Sequence, residues 1–273
     1  MIPLEDTIAD IVGKAQRGLG ISDGHLTEQA RINAEELKKL RRGHYEELVL
    51  WRVAPVLQLA GRALVDMADP NYTTSAKEID GLAMSNTPFG DVTVNAFLVW
   101  DPRSRDAVVF DTGSDCTAML KKIADEKLTV RLILLTHGHA DHVADLKRLR
   151  ETTRAPVYIS SREKTAGAEP IDEGHKFEVG RLKIDSRLTW GHSAGGMTFV
   201  VHGLKRTVAV VGDSIFAGSM GGGNASYKDA LQNNLEKILT LPDDTIICPG
   251  HGPLTTVGDE KSHNPFFAHR FSE

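Results

Sequence analysis

Near the middle of the chain an apolar run, Arg131-Leu132-Ile133-Leu134-Leu135, leads without a break into Thr136-His137-Gly138-His139-Ala140-Asp141-His142. Three imidazoles and a carboxylate at the end of an apolar strand are costly to desolvate unless they bind something, and a cation suits these donors. Gly138 lets the backbone turn sharply, so His137 and His139 can converge on one ion while Asp141 and His142, opening the next helix, face a second. One loop is thus expected to supply two half-sites. Any fold for this chain must bring further donors to the end of that strand.

Three more clusters have the same character. Trp190-Gly191-His192-Ser193 precedes an apolar run, Val210-Val211-Gly212-Asp213-Ser214 ends one, and Cys248-Pro249-Gly250-His251-Gly252-Pro253 ends another. Nitrogen and oxygen donors without thiolate suit zinc, iron or manganese. His25, His44, His175, His202, His263 and His269 stand outside such clusters and are read as ordinary surface or core residues. The run Ser219-Met220-Gly221-Gly222-Gly223 lacks the Lys of a phosphate loop and is read as a flexible rim of the active site.

From Leu4 to about Met67 apolar residues recur at helical spacing, with Gly18 and Gly20, Ser22 and Asp23, Asn33 and Gly43 as stop and cap signals. The turn-rich stretch Asp69-Pro70-Asn71-Tyr72-Thr73-Thr74-Ser75 follows, and the expected division is a helical unit, 1–72, and a second unit, 73–273. Beyond it, strands are expected at Val94 to Trp100, Ala107 to Phe110, Val130 to Leu135, Val157 to Ser160, Met197 to Val201, Thr207 to Val211 and Thr245 to Cys248. Helices are expected at Cys116 to Ala124, Asp141 to Glu151 and Tyr227 to Leu241. Interleaving of this kind means an α/β architecture with covered sheets.

The H-x-H-x-D-H signature followed by separated His, Asp and His resembles the metallo-β-lactamase superfamily, over about Pro88 to Phe267. Within it, Leu241-Pro242-Asp243-Asp244-Thr245, Pro249-Gly250-His251-Gly252-Pro253 and Glu260-Lys261-Ser262-His263-Asn264-Pro265-Phe266 resemble the glyoxalase II branch, the hydroxyacylglutathione hydrolases. The resemblance implies an αββα sandwich preceded by a small all-α domain. It also implies two divalent metal ions, zinc first, with iron or manganese also suited. One ion would sit on His137, His139 and His192, a second on Asp141, His142 and His251, with Asp213 bridging. Asp111, in Val108-Val109-Phe110-Asp111-Thr112-Gly113, matches a further signature position and is expected to orient a ligand histidine. The implied reaction is hydrolysis of a small-molecule thioester or related ester by a water shared between the ions, with Asp141 able to take up its proton. A bridging Asp argues against lactam hydrolysis. No Lys occurs between Asp213 and Lys228, where the family's glutathione-holding Lys lies, so another thiol is expected.

Two other readings share the motif. Persulfide dioxygenases resemble the same pattern and would place one iron at His137, His192 and Asp213. The segment from Leu26 to Gly43 resembles the helix-turn-helix of phage-repressor-type regulators, which would make the metal domain a ligand sensor joined to a DNA reader. Glu35 and Glu36 at the start of its second helix repel phosphates, so the helical unit is read first as a packing or homodimerising module and only second as a DNA-binding one. A net charge of −5 gives no general attraction to nucleic acid. Two distant cysteines, no secretory signal and no membrane-length apolar run lead to the expectation of a cytoplasmic protein.

Overall fold

The computed structural model describes residues 2–69 and 71–271; Pro70, in the expected linker, lies outside the described residues. The N-terminal part is helical: α1 (Ile8–Gly18), α2 (Asp23–Ala30), α3 (Ala34–Leu40), α4 (Glu47–Val56) and α5 (Gly61–Asp66). The caps form as their chemistry dictates. Ser22 accepts from the His25 N–H, and Asn33 and Glu36 make a reciprocal capping box at the start of α3.

Two six-stranded sheets follow. The first runs in sequence order through β1 (Leu82–Phe89), β2 (Val92–Trp100), β3 (Asp106–Phe110), β4 (Thr129–Leu134), β5 (Val157–Ser160) and β6 (Glu169–Ile171), with α6 (Thr117–Asp125), α7 (Ala140–Val143) and α8 (Leu146–Thr153) between strands. The second holds β7 (Lys176–Val179), β8 (Leu182–Leu188), β9 (Met197–His202), β10 (Val208–Gly212), β11 (Ile246–Pro249) and β12 (Thr255–Thr256), with α9 (Tyr227–Asn233) and α10 (Val257–His263) beside it.

The period of two along the strands sorts side chains into three cores. Phe97, Phe110, Phe199, Val201, Val208 and Val210 meet between the sheets. Met119, Ile133, Leu149 and Val157 seal the first sheet's outer face against α6 and α8. On the second sheet's outer face, Val200, Ala209, Val211 and Ile247 join one cluster with Ile11, Leu26, Leu50 and Leu64 from the N-terminal helices. The result is an αββα sandwich whose outer helical layer includes α1 to α5.

Because Phe110 and Phe199 touch across the central layer, with ring centroids 5.6 Å apart, Phe199→Ala should lose about 3–5 kcal/mol of stability in denaturant unfolding.

Two expected helices are interrupted for tertiary reasons. The segment from Asp141 to Glu151 forms α7 and α8 because the Thr112 N–H and hydroxyl both donate to the His142 carbonyl, at 2.8 and 3.1 Å, removing an acceptor that a continuous helix needs. After α9 the chain widens into a π-helical turn, Asn234–Ile238, where the Asn234 side chain donates to the Ser214 carbonyl. Strands β1, β6, β7, β8 and β12 were not among the expected ones. No helix among the described residues is long and apolar enough to cross a membrane.

Candidate metal centre

All seven donors predicted from the sequence meet at one edge of the sandwich. His137, His139, His192 and Asp213 form one group, and Asp141, His142 and His251 a second, with the ligand atoms of each group within 4.8 Å of one another. His137 continues from β4, and His139, Asp141 and His142 sit at the start of α7. His192 lies between β8 and β9, Asp213 just after β10 and His251 just after β11. The two groups are joined by Asp213. Its Oδ1 is 3.3 Å from His142 Nε2, and its Oδ2 is 3.3 Å from His192 Nε2 and 3.4 Å from His251 Nε2. Asp141 Oδ2 stands 3.3 Å from His251 Nε2.

The backbone permits this crowding only because glycine is present. A Cβ on Gly250 would collide with the Asp213 carboxylate, and one on Gly221 with the Asp213 carbonyl. The glycine run is therefore a packed wall of the site, with Met220 fully buried, and not the loose rim its composition implies.

Four of the five imidazoles are turned the same way. His142 Nδ1–H donates to Asp111 Oδ2 at 2.8 Å, His251 Nδ1–H to the Thr93 carbonyl at 2.7 Å and His192 Nδ1–H to the Gly222 carbonyl at 3.1 Å. His137 Nδ1–H donates to Thr136 Oγ1, whose own hydroxyl donates to Asp111 Oδ2. Fixing the proton on Nδ1 aims the Nε2 lone pair inward, as outer hydrogen-bond partners do for metal-ligating histidines. Asp111 thus orients His142 directly and His137 through Thr136. Thr136 and the carbonyls of Thr93 and Gly222 were not foreseen.

The interior of this cluster is short of hydrogen-bond partners. His137 Nε2, His142 Nε2 and Asp213 Oδ1 are buried and make no hydrogen bond. Buried polar atoms are rarely left so, and three facing one another are the mark of a cation site. The electrostatics agree. Burial opposes charge on His142 and on His251, yet Asp213 and Asp111 lift the first to about 10, and Asp141 and Asp213 lift the second to about 11. Burial, then the neighbouring His142, pushes His137 well below its usual range. Burial works against ionisation of Asp213, but His142, His251 and His137 hold its carboxyl well below the ordinary value. The carboxylates call for positive charge, and the residues present fit divalent cations. His25, His44, His175, His202, His263 and His269 join neither donor group. Cys116 and Cys248 are buried and unpaired, and neither belongs to the cluster.

A two-sheet sandwich with His and Asp donors gathered on loops at one edge defines a metal-dependent enzyme class. A sequence profile of the metallo-beta-lactamase superfamily matches residues 89–251, more than half of the chain, and the chain belongs to that superfamily. Similar curated proteins include the "Probable metallo-hydrolase YqgX" of Bacillus subtilis, 32% identical over 66% of this chain and 94% of the relative. The hydroxyacylglutathione hydrolase GloC of Haemophilus influenzae is 28% identical over 63% of this chain and 92% of its own length. Among solved structures, the BLEG-1 B3 metallo-beta-lactamase is 31% identical with TM-score 0.59, covering 67% of this chain and 99% of that one. ETHE1 from Myxococcus xanthus is 26% identical with TM-score 0.58, covering 67% and 83%. TTHA1623 in a di-iron-bound form is 27% identical with TM-score 0.55, covering 67% and 100%. About a third of this chain has no counterpart in these proteins, and residues before 89 lie outside the profile match.

Proposed function

We propose that the chain is a dinuclear metallo-hydrolase acting on a thioester or related ester. His137, His139 and His192 hold one ion, Asp141, His142 and His251 the other, and Asp213 spans the two. The observation that carries this reading is two donor groups spanned by the Asp213 carboxylate, with His137 Nε2, His142 Nε2 and Asp213 Oδ1 buried between them and free of hydrogen bonds. The likeness to GloC and YqgX supports the hydrolytic chemistry. When bound, two divalent ions make a water nucleophilic near neutral pH and polarise a substrate carbonyl. The chain's own residues do the rest. His139, the exposed member of the donor set, forms the mouth, and the Asp141 carboxylate, 17% exposed, is placed to take up the proton released as water adds. Thr136 and Asp111, buried beneath, keep His137 and His142 from rotating.

Zinc is the first candidate metal, and the di-iron relative makes iron the second. The likeness to ETHE1 from Myxococcus xanthus supports one other reading, a persulfide dioxygenase with a single iron at His137, His192 and Asp213. Elemental analysis alongside a panel of thioester, lactone, β-lactam and persulfide substrates decides between them. Two ions per chain and thioester cleavage are expected. One iron with oxygen uptake on a persulfide would establish the dioxygenase, and preferential β-lactam cleavage would displace the thioester. Specific DNA binding without turnover of any substrate would favour the sensor.

A further inference from the structure

The chain leaves the metal centre at Asp213 and returns to it at Gly222, whose carbonyl fixes the His192 ring. The loop between them is gripped from two sides. At its tip, the Glu260 carboxylate of α10 accepts from the Gly218 N–H at 3.1 Å, and Asn264 Nδ2 donates to the Ser219 carbonyl at 2.8 Å. The next residue is held by the N-terminal helical unit, which precedes the superfamily match. From α1, Lys14 Nζ donates to the Met220 carbonyl at 2.8 Å and to Asp6 Oδ2 at 2.5 Å, and the same Asp6 oxygen accepts from Ser219 Oγ at 2.5 Å. One turn further along α1, a Cβ on Gly18 would run into the Tyr227 ring, and a Cβ on Gly223 into the Tyr227 backbone. α1 therefore backs the glycine run at both ends, at Met220 and at Tyr227.

Gly221, Gly222 and Gly223 have no side chains to anchor them and lose more conformational freedom on ordering than other residues, so what brackets them sets their position. Among the described residues, Lys14 is the last side chain to bond the loop before this run. Its side chain is 15% exposed and that of Asp6 7%, so both bonds are made largely out of water, where a charged donor holds a carbonyl more firmly than a neutral one. The Met220 and Gly222 carbonyls stand two residues apart, and a shift of the first displaces the second. The bond from His192 Nδ1–H to Gly222 is already 3.1 Å, near the upper end for an N–H donor, and has little length to spare.

We propose that Lys14 is a positioning residue for the ion on His137, His139 and His192: it fixes the Met220 carbonyl, and through it the Gly222 carbonyl that keeps His192 Nε2 aimed at that group. This inference rests on the two-ion reading above and brings the helical unit into the metal centre. Three variants of the full-length protein test it. Lys14→Met keeps the reach of the side chain but removes the donor, Lys14→Arg keeps donor and charge, and Leu50→Ala weakens the fully buried core of the same unit away from the loop. In competition with a chelator, Lys14→Met should lose about tenfold in affinity for one zinc ion, the lower end of what loss of an outer hydrogen-bond partner costs, and keep its affinity for the other. Lys14→Arg should recover most of that loss, and Leu50→Ala should bind both ions as the wild type does. With cobalt in place of zinc, the visible spectrum of the weakened site should change in Lys14→Met alone. In the metal-free protein, proton resonance of the His192 Nδ1–H should show faster exchange with water in Lys14→Met and little change in Leu50→Ala. Unchanged affinity in Lys14→Met, or equal losses in Lys14→Met and Leu50→Ala, overturns the proposal; the latter would make Lys14 a brace of the helical unit only. Should Lys14→Met fail to fold, the double variant Asp6→Asn, Lys14→Met leaves no unpaired buried charge and takes its place in every arm. A wild type that binds fewer than two ions would count against the two-ion reading, while the His192 exchange rates still decide the role of Lys14.

Discussion

Replacing Asp213 with alanine should reduce bound metal by at least one ion per chain and lower hydrolysis by on the order of 10³-fold or more, the scale of several kcal/mol of lost carbonyl and water activation. The size of the effect follows from position. Both carboxylate oxygens face Nε2 atoms, those of His142, His192 and His251, so one side chain serves both donor groups. Without it, five imidazoles crowd a site in which the His137 and His142 ring centroids are only 4.2 Å apart. A cation there would keep ligands but lose the charge that joins the two groups. In the metal-free protein the same change leaves the buried His142 with Asp111 at 2.8 Å and Asp141 at 3.7 Å as its remaining carboxylate partners, and removal of one member of a buried ion pair costs about 3–5 kcal/mol. Asp213→Asn separates the two consequences: it keeps the volume and one acceptor, so the fold should survive while metal loading and turnover fall. Elemental analysis after chelation and reloading, with kinetics on the preferred thioester, gives the answer. Retention of two ions with activity within tenfold of wild type would show that Asp213 is not the shared donor.

Much of this centre was legible because metal chemistry concentrates unusual residue types. An apolar strand running into His137, His139, Asp141 and His142 has no ordinary packing explanation, and His192, Asp213 and His251 stand at comparable strand ends. The continuous apolar runs of β2, β3, β9, β10 and β11 were visible because these strands are buried on both faces over most of their length, and that of β4 because its end, Ile133 and Leu134, is buried. By contrast β8 alternates Leu182, Ile184, Ser186 and Leu188 inward with Lys183, Asp185 and Arg187 outward or half-buried, and so shows no apolar run. The helix breaks could not be read locally, since they come from Thr112 and Asn234 reaching distant backbone. The partners that orient His192 and His251 are main-chain carbonyls of Gly222 and Thr93, which carry no residue signature at all. The approach of the N-terminal segment to His251 was invisible for another reason: only the docking of the N-terminal helices on the second sheet brings Glu5 within 4.0 Å of that ring from the opposite end of the chain.

Asp111 should show two separable costs when it is changed, one in backbone strain and one in metal affinity. It sits at φ 57, a left-handed conformation that costs a residue with a Cβ about 1–2 kcal/mol unless its side chain compensates. Here the side chain does. Oδ1 accepts from the Thr136 N–H at 2.7 Å, and Oδ2 accepts from the Thr136 hydroxyl at 2.7 Å and from His142 Nδ1–H at 2.8 Å. Asp111→Asn tolerates the backbone but points its NH₂ group either at the Thr136 N–H, pushing away the backbone that leads into His137, or at the Thr136 hydroxyl and His142 Nδ1–H. In the second orientation His142 avoids the clash by moving its proton to Nε2, which removes the lone pair that faces the cluster. Metal affinity should drop by about 10–100-fold, with a stability loss of about 1–3 kcal/mol. Asp111→Gly loses every one of these hydrogen bonds yet relaxes the backbone, and Asp111→Ala loses them while keeping the strain. Stability should therefore fall in the order wild type, Asn, Gly, Ala, whereas metal affinity should fall once, between the wild type and all three variants alike. Denaturant unfolding of the metal-free proteins and competition with a chelator measure the two series independently. If affinity instead tracked stability step by step, Asp111 would serve only to hold the loop, and the orientation of His142 would have to come from elsewhere.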